Sequence, residues 1–202
     1  MLLSKTKTLI ILDWDDTLFP TTWITSNEIN LKNNIDTDKF KGYFLQVDID
    51  LYNLLTRLQQ CGTVIIVTNA LLPWIKLSST ILPKTSKILI NIKVISARGD
   101  FQTKSANPMD WKKLAFESII QGMGKKINNI VSVGDAEYEY NALISLFVPN
   151  PNPKSYKLLK SVKFIKYPTK EVLIDQIRVL ERASVKIVTS KTHLDIKMNQ
   201  KK

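Results

Sequence analysis

Asp13, Asp15 and Asp16 crowd into four residues directly after the apolar run Leu9 to Leu12. Carboxylates this close repel one another unless a proton or a cation sits among them. A hard cation that prefers oxygen ligands would relieve the repulsion, and such ions work on phosphate groups. Three further places in the chain carry matching chemistry. Thr68 and Asn69 follow the apolar run TVIIV, Lys112 and Lys113 follow Asn107-Pro108, and Gly134-Asp135 follows NIVSV, with Glu137 and Glu139 just beyond.

These residues need elements that deliver them to one place. Four or five apolar residues in a row, as in Thr8–Leu12, read as a strand buried on both faces of a parallel sheet. The same holds for 63–67 and 129–133, and 88–95 contains a further strand. Short strands are expected near Phe147-Val148 and, as an edge strand, over 162–165. Between them the leucines of 48–60 fall at helical spacing, with Asp48 or Asp50 as the N-cap. Residues 72–82, with Pro73 in the first turn, read as one helix. Helices are also expected over 108–121, with Trp111, Leu114, Ala115 and Ser118 on one face, and up to Ser145 and over 170–183. Gly122 and Gly124 end the 108–121 helix. Alternating strands and helices with apolar strands predict an α/β fold, a three-layer α/β/α Rossmann-like domain with a mainly parallel sheet. In such sheets ligands bind beyond the carboxyl ends of the strands, where all four motifs lie.

At 202 residues, with 44% hydrophobic residues and a mean hydropathy of −0.06, the chain suits a single domain with a full core. The domain is expected over 1–184. Residues 19–47 form a small, mixed, polar insertion in which NNIDTDKFKG resembles a loop, and 185–202 a basic, flexible C-terminal tail. No apolar run approaches the ~20 residues of a membrane span. The lysines before the first apolar run mimic a signal peptide, but that run ends in aspartates and has no small-residue cleavage site. Single Cys61 excludes an intrachain disulfide and argues against a cysteine-built zinc site, so an intracellular, cytoplasmic setting is expected. Of the net charge of +11, residues 154–202 hold most, with 13 Lys and Arg against 4 Asp and Glu. A solvated lysine-rich surface explains this charge without a recognition site, because no aromatic-and-basic motif accompanies it. At most it implies a weak polyanion contact through the basic C-terminal segment. His193, the one histidine, lies in that segment, which disfavours a histidine-based hydrolase.

Taken in order, the motifs resemble those of the haloacid dehalogenase (HAD) superfamily. Asp13-Trp14-Asp15-Asp16-Thr17-Leu18 matches its D-x-D-x-[TV]-[LV], Thr68 its strand-end Ser or Thr, Lys112 or Lys113 its helix lysine, and Gly134-Asp135 with Glu139 its G-D-x-x-x-[DE]. The resemblance spans residues 8 to 139. It implies a Mg²⁺-dependent phosphohydrolase that works through an aspartyl-phosphate, with Asp13 as nucleophile and Asp15 as general acid–base. An Asp at the Asp15 position separates the phosphatases of that superfamily from its dehalogenases and ion pumps. Mg²⁺ would be held by Asp13, Asp135 and the main-chain carbonyl of Asp15, with Thr17 and Glu139 supporting the ligands and Glu137 as the alternate to Glu139. Thr68, the Asn69 amide and Lys112 would hold the phosphate. Lys112 and Lys113 point about 100° apart on a helix, so only one can face the site; Lys112 is preferred. Trp14 is expected to pack beside the site.

Cap insertions in that superfamily select substrates, and the spaces here look too short for a full cap domain. An open site suited to a large phosphorylated substrate follows as an expectation. Two other readings compete: a binding module for nucleic acid or protein on a degenerate HAD scaffold, and a phosphotransferase or phosphomutase. The intact aspartates disfavour the first and the missing cap disfavours the second.

Overall fold

The computed structural model describes residues 5–124, 127–149 and 156–199. After a short 3-10 turn at Lys5–Lys7, β1 (Thr8–Leu12) enters the middle of a sheet. There follow α1 (Thr21–Ser26), α2 (Asn34–Lys39), α3 (Lys41–Cys61), β2 (Thr63–Thr68), α4 (Leu72–Ser79), α5 (Pro83–Leu89), β3 (Lys93–Ser96), α6 (Ala97–Phe101) and α7 (Pro108–Met123). The chain then runs through β4 (Asn129–Gly134), α8 (Glu137–Ile144), β5 (Leu158–Lys163), α9 (Lys170–Thr189) and β6 (Leu194–Lys197). The six strands lie in the order β3-β2-β1-β4-β5-β6 and every neighbouring pair is parallel.

All five β1 residues are buried because both sheet faces are covered. Ile10 and Leu12 join one apolar cluster with α3 and α9, while Leu9 and Ile11 join another with α7 and α8. The fold is thus a three-layer α/β/α Rossmann-like arrangement, as the apolar runs predict. The order reverses at β1, with β2 on one side and β4 on the other. In parallel sheets such a reversal is where ligands bind, and Asp13 and Asp135 emerge here, at the carboxyl ends of β1 and β4.

Several local expectations need correction. The NNIDTDKFKG segment is not a loop: α2 and the start of α3 fill it, after α1 earlier in the insertion, with Asn33 accepting from Ile35 N at 2.9 Å to cap α2. Trp23, Phe40, Tyr43 and Phe44 pack edge to face in this stretch and give it an apolar interior. Neither Asp48 nor Asp50 caps α3, which begins seven residues before Asp48. Asp48 is instead fully buried and accepts from the backbone N–H of Lys84 (2.9 Å) and Thr85 (2.7 Å), so it caps α5 from across the fold. The 72–82 helix stops at Ser79 and Pro83 opens a second one, since proline is tolerated only in a first turn. Ile88 and Leu89 belong to that second helix rather than to β3. The inward stripe of α7 is Lys112, Ala115, Phe116 and Ile119, and Ser118 is exposed.

No strand forms at Phe147-Val148, and the 162–165 strand is β5, which runs over Leu158–Lys163 and is not at the edge. The edge is β6, built from the segment read as a flexible tail. Two features explain that ordering. Ile187 and Val188 extend the buried stripe of α9. Lys160 Nζ, buried on β5, donates to Val188 O and Ser190 O, both at 2.7 Å, satisfying the carbonyls at the end of α9. No helix of the described residues is long and apolar enough to cross a membrane.

Candidate active site

Asp13 is the first residue beyond β1, and its N–H still donates to Val133 O of β4 at 2.9 Å. That pairing sets Asp13 beside Asp135, two residues past Val133. The chain then turns tightly: Leu18 N and Phe19 N both donate to Trp14 O at 2.9 Å, and Asp16 N donates to Phe19 O at 2.7 Å. Asp16 takes φ 53° in this turn, a region that Asp tolerates better than most residues.

Oxygens of Asp13, Asp135 and Glu139 lie within 4.8 Å of one another, and all three residues are buried. Lys112 reaches into this cluster from α7, only 2% exposed. Its Nζ lies 2.7 Å from Asp13 Oδ1 and also pairs with Glu139 Oε1. Lys113 is exposed, so Lys112 is the lysine that faces the site. Glu139 likewise prevails over Glu137, which is exposed and pairs with Lys163. Glu139 Oε2 also accepts from Ala136 N at 3.2 Å. Its side chain lies across Gly134 so closely that a Cβ there would overlap Glu139 Cγ and Cδ. A glycine before Asp135 is therefore a packing requirement of the site. Thr17 supports Asp135 through a long contact, Oγ1 to Oδ1 at 3.5 Å.

Burial pushes the Asp13 carboxyl well above its usual range; Lys112 opposes this, while Glu139, Asp15 and Asp135 add to it. Asp135 rises to about 7, through burial first and then the charges of Glu139 and Asp16. For Lys112 burial favours the neutral amine, but Asp13 and Glu139 together outweigh it and hold the ammonium charged. The chain matches no family model, no curated protein and no solved structure.

Asp15 turns away from the cluster. Its Oδ1 accepts from Thr21 Oγ1 at 2.5 Å and Trp74 Nε1 at 2.7 Å, and its Oδ2 accepts from Thr68 Oγ1 at 3.1 Å. Thr68 is buried and its oxygen also accepts from Ala70 N at 2.9 Å, so its hydroxyl proton points at Asp15. Asn69 stands beside it with a buried, unpartnered Oδ1 among the described residues. Trp14 packs beside the site as expected, fully buried, stacked on Phe19 and donating to Ser78 Oγ at 3.0 Å.

Thr21, Thr22 and Trp74 were not singled out in the sequence. Thr22 holds Asp16 through its N–H at 2.8 Å and through its hydroxyl. The threonines carry one faint signal, lying within six residues of the aspartates that they hold. Trp74 carries none, since nothing in a helix-starting tryptophan marks it as a donor to a carboxylate 59 residues earlier.

Proposed function

We propose that the protein is a HAD-type phosphomonoester hydrolase that uses Mg²⁺ and an aspartyl-phosphate intermediate. The observation that carries this reading is the buried cluster of Asp13, Asp135 and Glu139 around Lys112 at the switch point of the sheet. Asp13, Asp135 and Glu139 share a single ammonium, and the mutual repulsion that helps to raise the Asp13 and Asp135 carboxyls is what a divalent cation would relieve. The donors are all oxygen, as Mg²⁺ prefers. Asp13 and Asp135 would hold the ion with the Asp15 main-chain carbonyl, and Glu139 and Thr17 would fix those ligands. Once bound, the ion supplies positive charge that lowers the repulsion between a carboxylate nucleophile and an anionic phosphate.

Asp13 then attacks phosphorus and the bond to the leaving oxygen breaks. Lys112, held charged by its two carboxylates, stabilises the negative charge on the transferring group. Thr68 and Asp15 divide the remaining work. As a phosphate oxygen takes over the Thr68 hydroxyl proton, Asp15 Oδ2 loses its donor and takes up a proton from solvent as the substrate enters. It gives that proton to the leaving alcohol and later takes one from the hydrolytic water. Trp74 and Thr21 keep Oδ1 in place throughout.

The test is turnover of para-nitrophenyl phosphate with Mg²⁺. The wild type is expected to be active and Asp13→Asn to lose nearly all activity at unchanged thermal stability. A folded wild-type protein without Mg²⁺-dependent turnover of any phosphomonoester would rule the reading out.

A further inference from the structure

The mouth of the carboxylate cluster has one cationic, aromatic side. Beyond β5 the chain stays beside the site, with Phe164 N donating to Gly134 O at 2.8 Å. Two residues further on come Lys166 and Tyr167, both exposed, with Lys166 Nζ 4.5 Å from the centre of the Tyr167 ring. Lys166 also hydrogen-bonds the Tyr167 side chain, and the Asp135 carboxylate lies close enough to favour its charged form. Among the described residues Lys166 forms no ion pair, whereas Lys163 is matched by Glu137. Tyr167 is 63% exposed and has φ 52°, a backbone region that a bulky residue rarely occupies. Little burial offsets that strain, so the fold holds a strained ring in solvent three residues beyond the contact of Phe164 with Gly134.

A second pairing stands close by. Lys170 Nζ lies 5.8 Å from the Trp23 ring centre and 5.9 Å from that of Tyr43. Trp23 directly follows Thr21 and Thr22, which hold Asp15 and Asp16. Lys170 Nζ also lies 3.7 Å from Glu171 Oε1, so this end of the rim carries an acid beside its cation.

We infer that this rim, formed by Lys166, Tyr167 and Lys170, binds the nucleoside side of a phosphorylated nucleoside unit, either a free nucleotide or a polynucleotide end. The inference rests on the hydrolase reading for the terminal phosphate. An exposed ring stacks on any base, and lysines beside it meet the flanking phosphates. A phosphoserine peptide offers no such flat face next to its phosphate, and a sugar phosphate leaves the ring unused. The net charge of +11 draws polyanions to the surface in general, and the Tyr167 ring gives them a place to stop.

The experiment is fluorescence anisotropy of the full-length Asp13→Asn protein with Mg²⁺, which keeps the ion while removing turnover, with fluorescein-labelled 5′-phosphorylated decathymidylate. Saturable, salt-sensitive binding is expected. Tyr167→Asn, which removes the ring while suiting φ above zero, and Lys166→Ala should each weaken it about tenfold. Displacement by thymidine monophosphate would assign the site to single nucleotides; displacement only by oligomers would assign it to polynucleotide ends. Absence of binding at low salt, equal affinity in both variants, or tighter binding of a phosphoserine peptide would overturn the inference. Turnover of para-nitrophenyl phosphate with no oligonucleotide binding would overturn it while leaving the hydrolase reading intact. Ring-dependent binding without any turnover would support the rim and remove the hydrolase reading.

Discussion

The buried charges of the site are packed so closely that small changes in volume should act as changes in charge. Gly134 is the clearest case, because Glu139 lies directly over it. Gly134→Ala must push the Glu139 side chain away and weaken its pairing with Lys112. The expected cost is about 1–3 kcal/mol of stability, typical of overpacking, together with a smaller Mg²⁺-dependent rise in Tm than the hydrolase reading predicts for the wild type. Thermal unfolding with and without Mg²⁺ measures both effects, and an unchanged Mg²⁺ response would refute the link. Asp13, Asp135 and Glu139 were legible as candidates because each sits at a strand end or about one helical turn past one, whereas Lys112, near the start of α7, was legible only through the resemblance of the motifs. Which neighbour would win, Lys112 over Lys113 or Glu139 over Glu137, depends on helix rotation against the sheet, which local spacing does not specify. The donors around Asp15 stayed hidden for a related reason: Trp74 and Thr68 reach it from 59 and 53 residues away.

Elements are tied to one another by single polar side chains at their ends. Asp48 of α3 holds two N–H groups of α5 in a buried setting. Asp48→Ala leaves both donors without an acceptor and is expected to cost about 2 kcal/mol, seen as a lower denaturation midpoint at unchanged m-value. A loss of only a few tenths would mean that water replaces the cap. The buried strands β1, β2 and β4 and the long helices were readable because their apolar patterns are strong and local. The 20–47 helices were not, since their aromatic contacts bridge segments that look polar one at a time. Pro83 was visible, but a proline inside a helical pattern does not reveal whether the chain stops there or starts again.

Across the whole molecule, the C-terminal quarter is a structural part of the sheet as well as the main source of its charge. Lys160 lies under β6 and α9, where burial lowers its pKa from 10.5 to about 8. Below about pH 8 native and unfolded chains both carry this proton, and the native state bears the full cost of the buried charge. Between about 8 and 10.5 the unfolded chain holds a proton that the native chain has shed, so stability rises with pH. Relative to Lys160→Met, the wild type should therefore gain about 2 kcal/mol between pH 7 and pH 10. Denaturant unfolding of both proteins at the two pH values checks the difference, and a constant offset would show that the two carbonyls keep the ammonium fully charged. The basic composition was visible in the sequence; that it would hide a cation inside the fold was not, because a lysine on an alternating strand reads as solvent-facing.

The place of β1 in the sheet also governs when the site can exist during synthesis. β1 pairs with β2 early, but its other edge waits for β4, which begins at Asn129. At a translation speed of about 5–20 residues per second, the roughly sixty residues between these strands take several seconds to emerge. For that interval a nascent chain displays the open backbone edge of β1 with Asp13 at its tip, and neither Asp135 nor Glu139 has been made. A chaperone that shields unpaired strand edges would find its target there, and a ribosome stalled before β4 would present Asp13 without the two other carboxylates of its cluster.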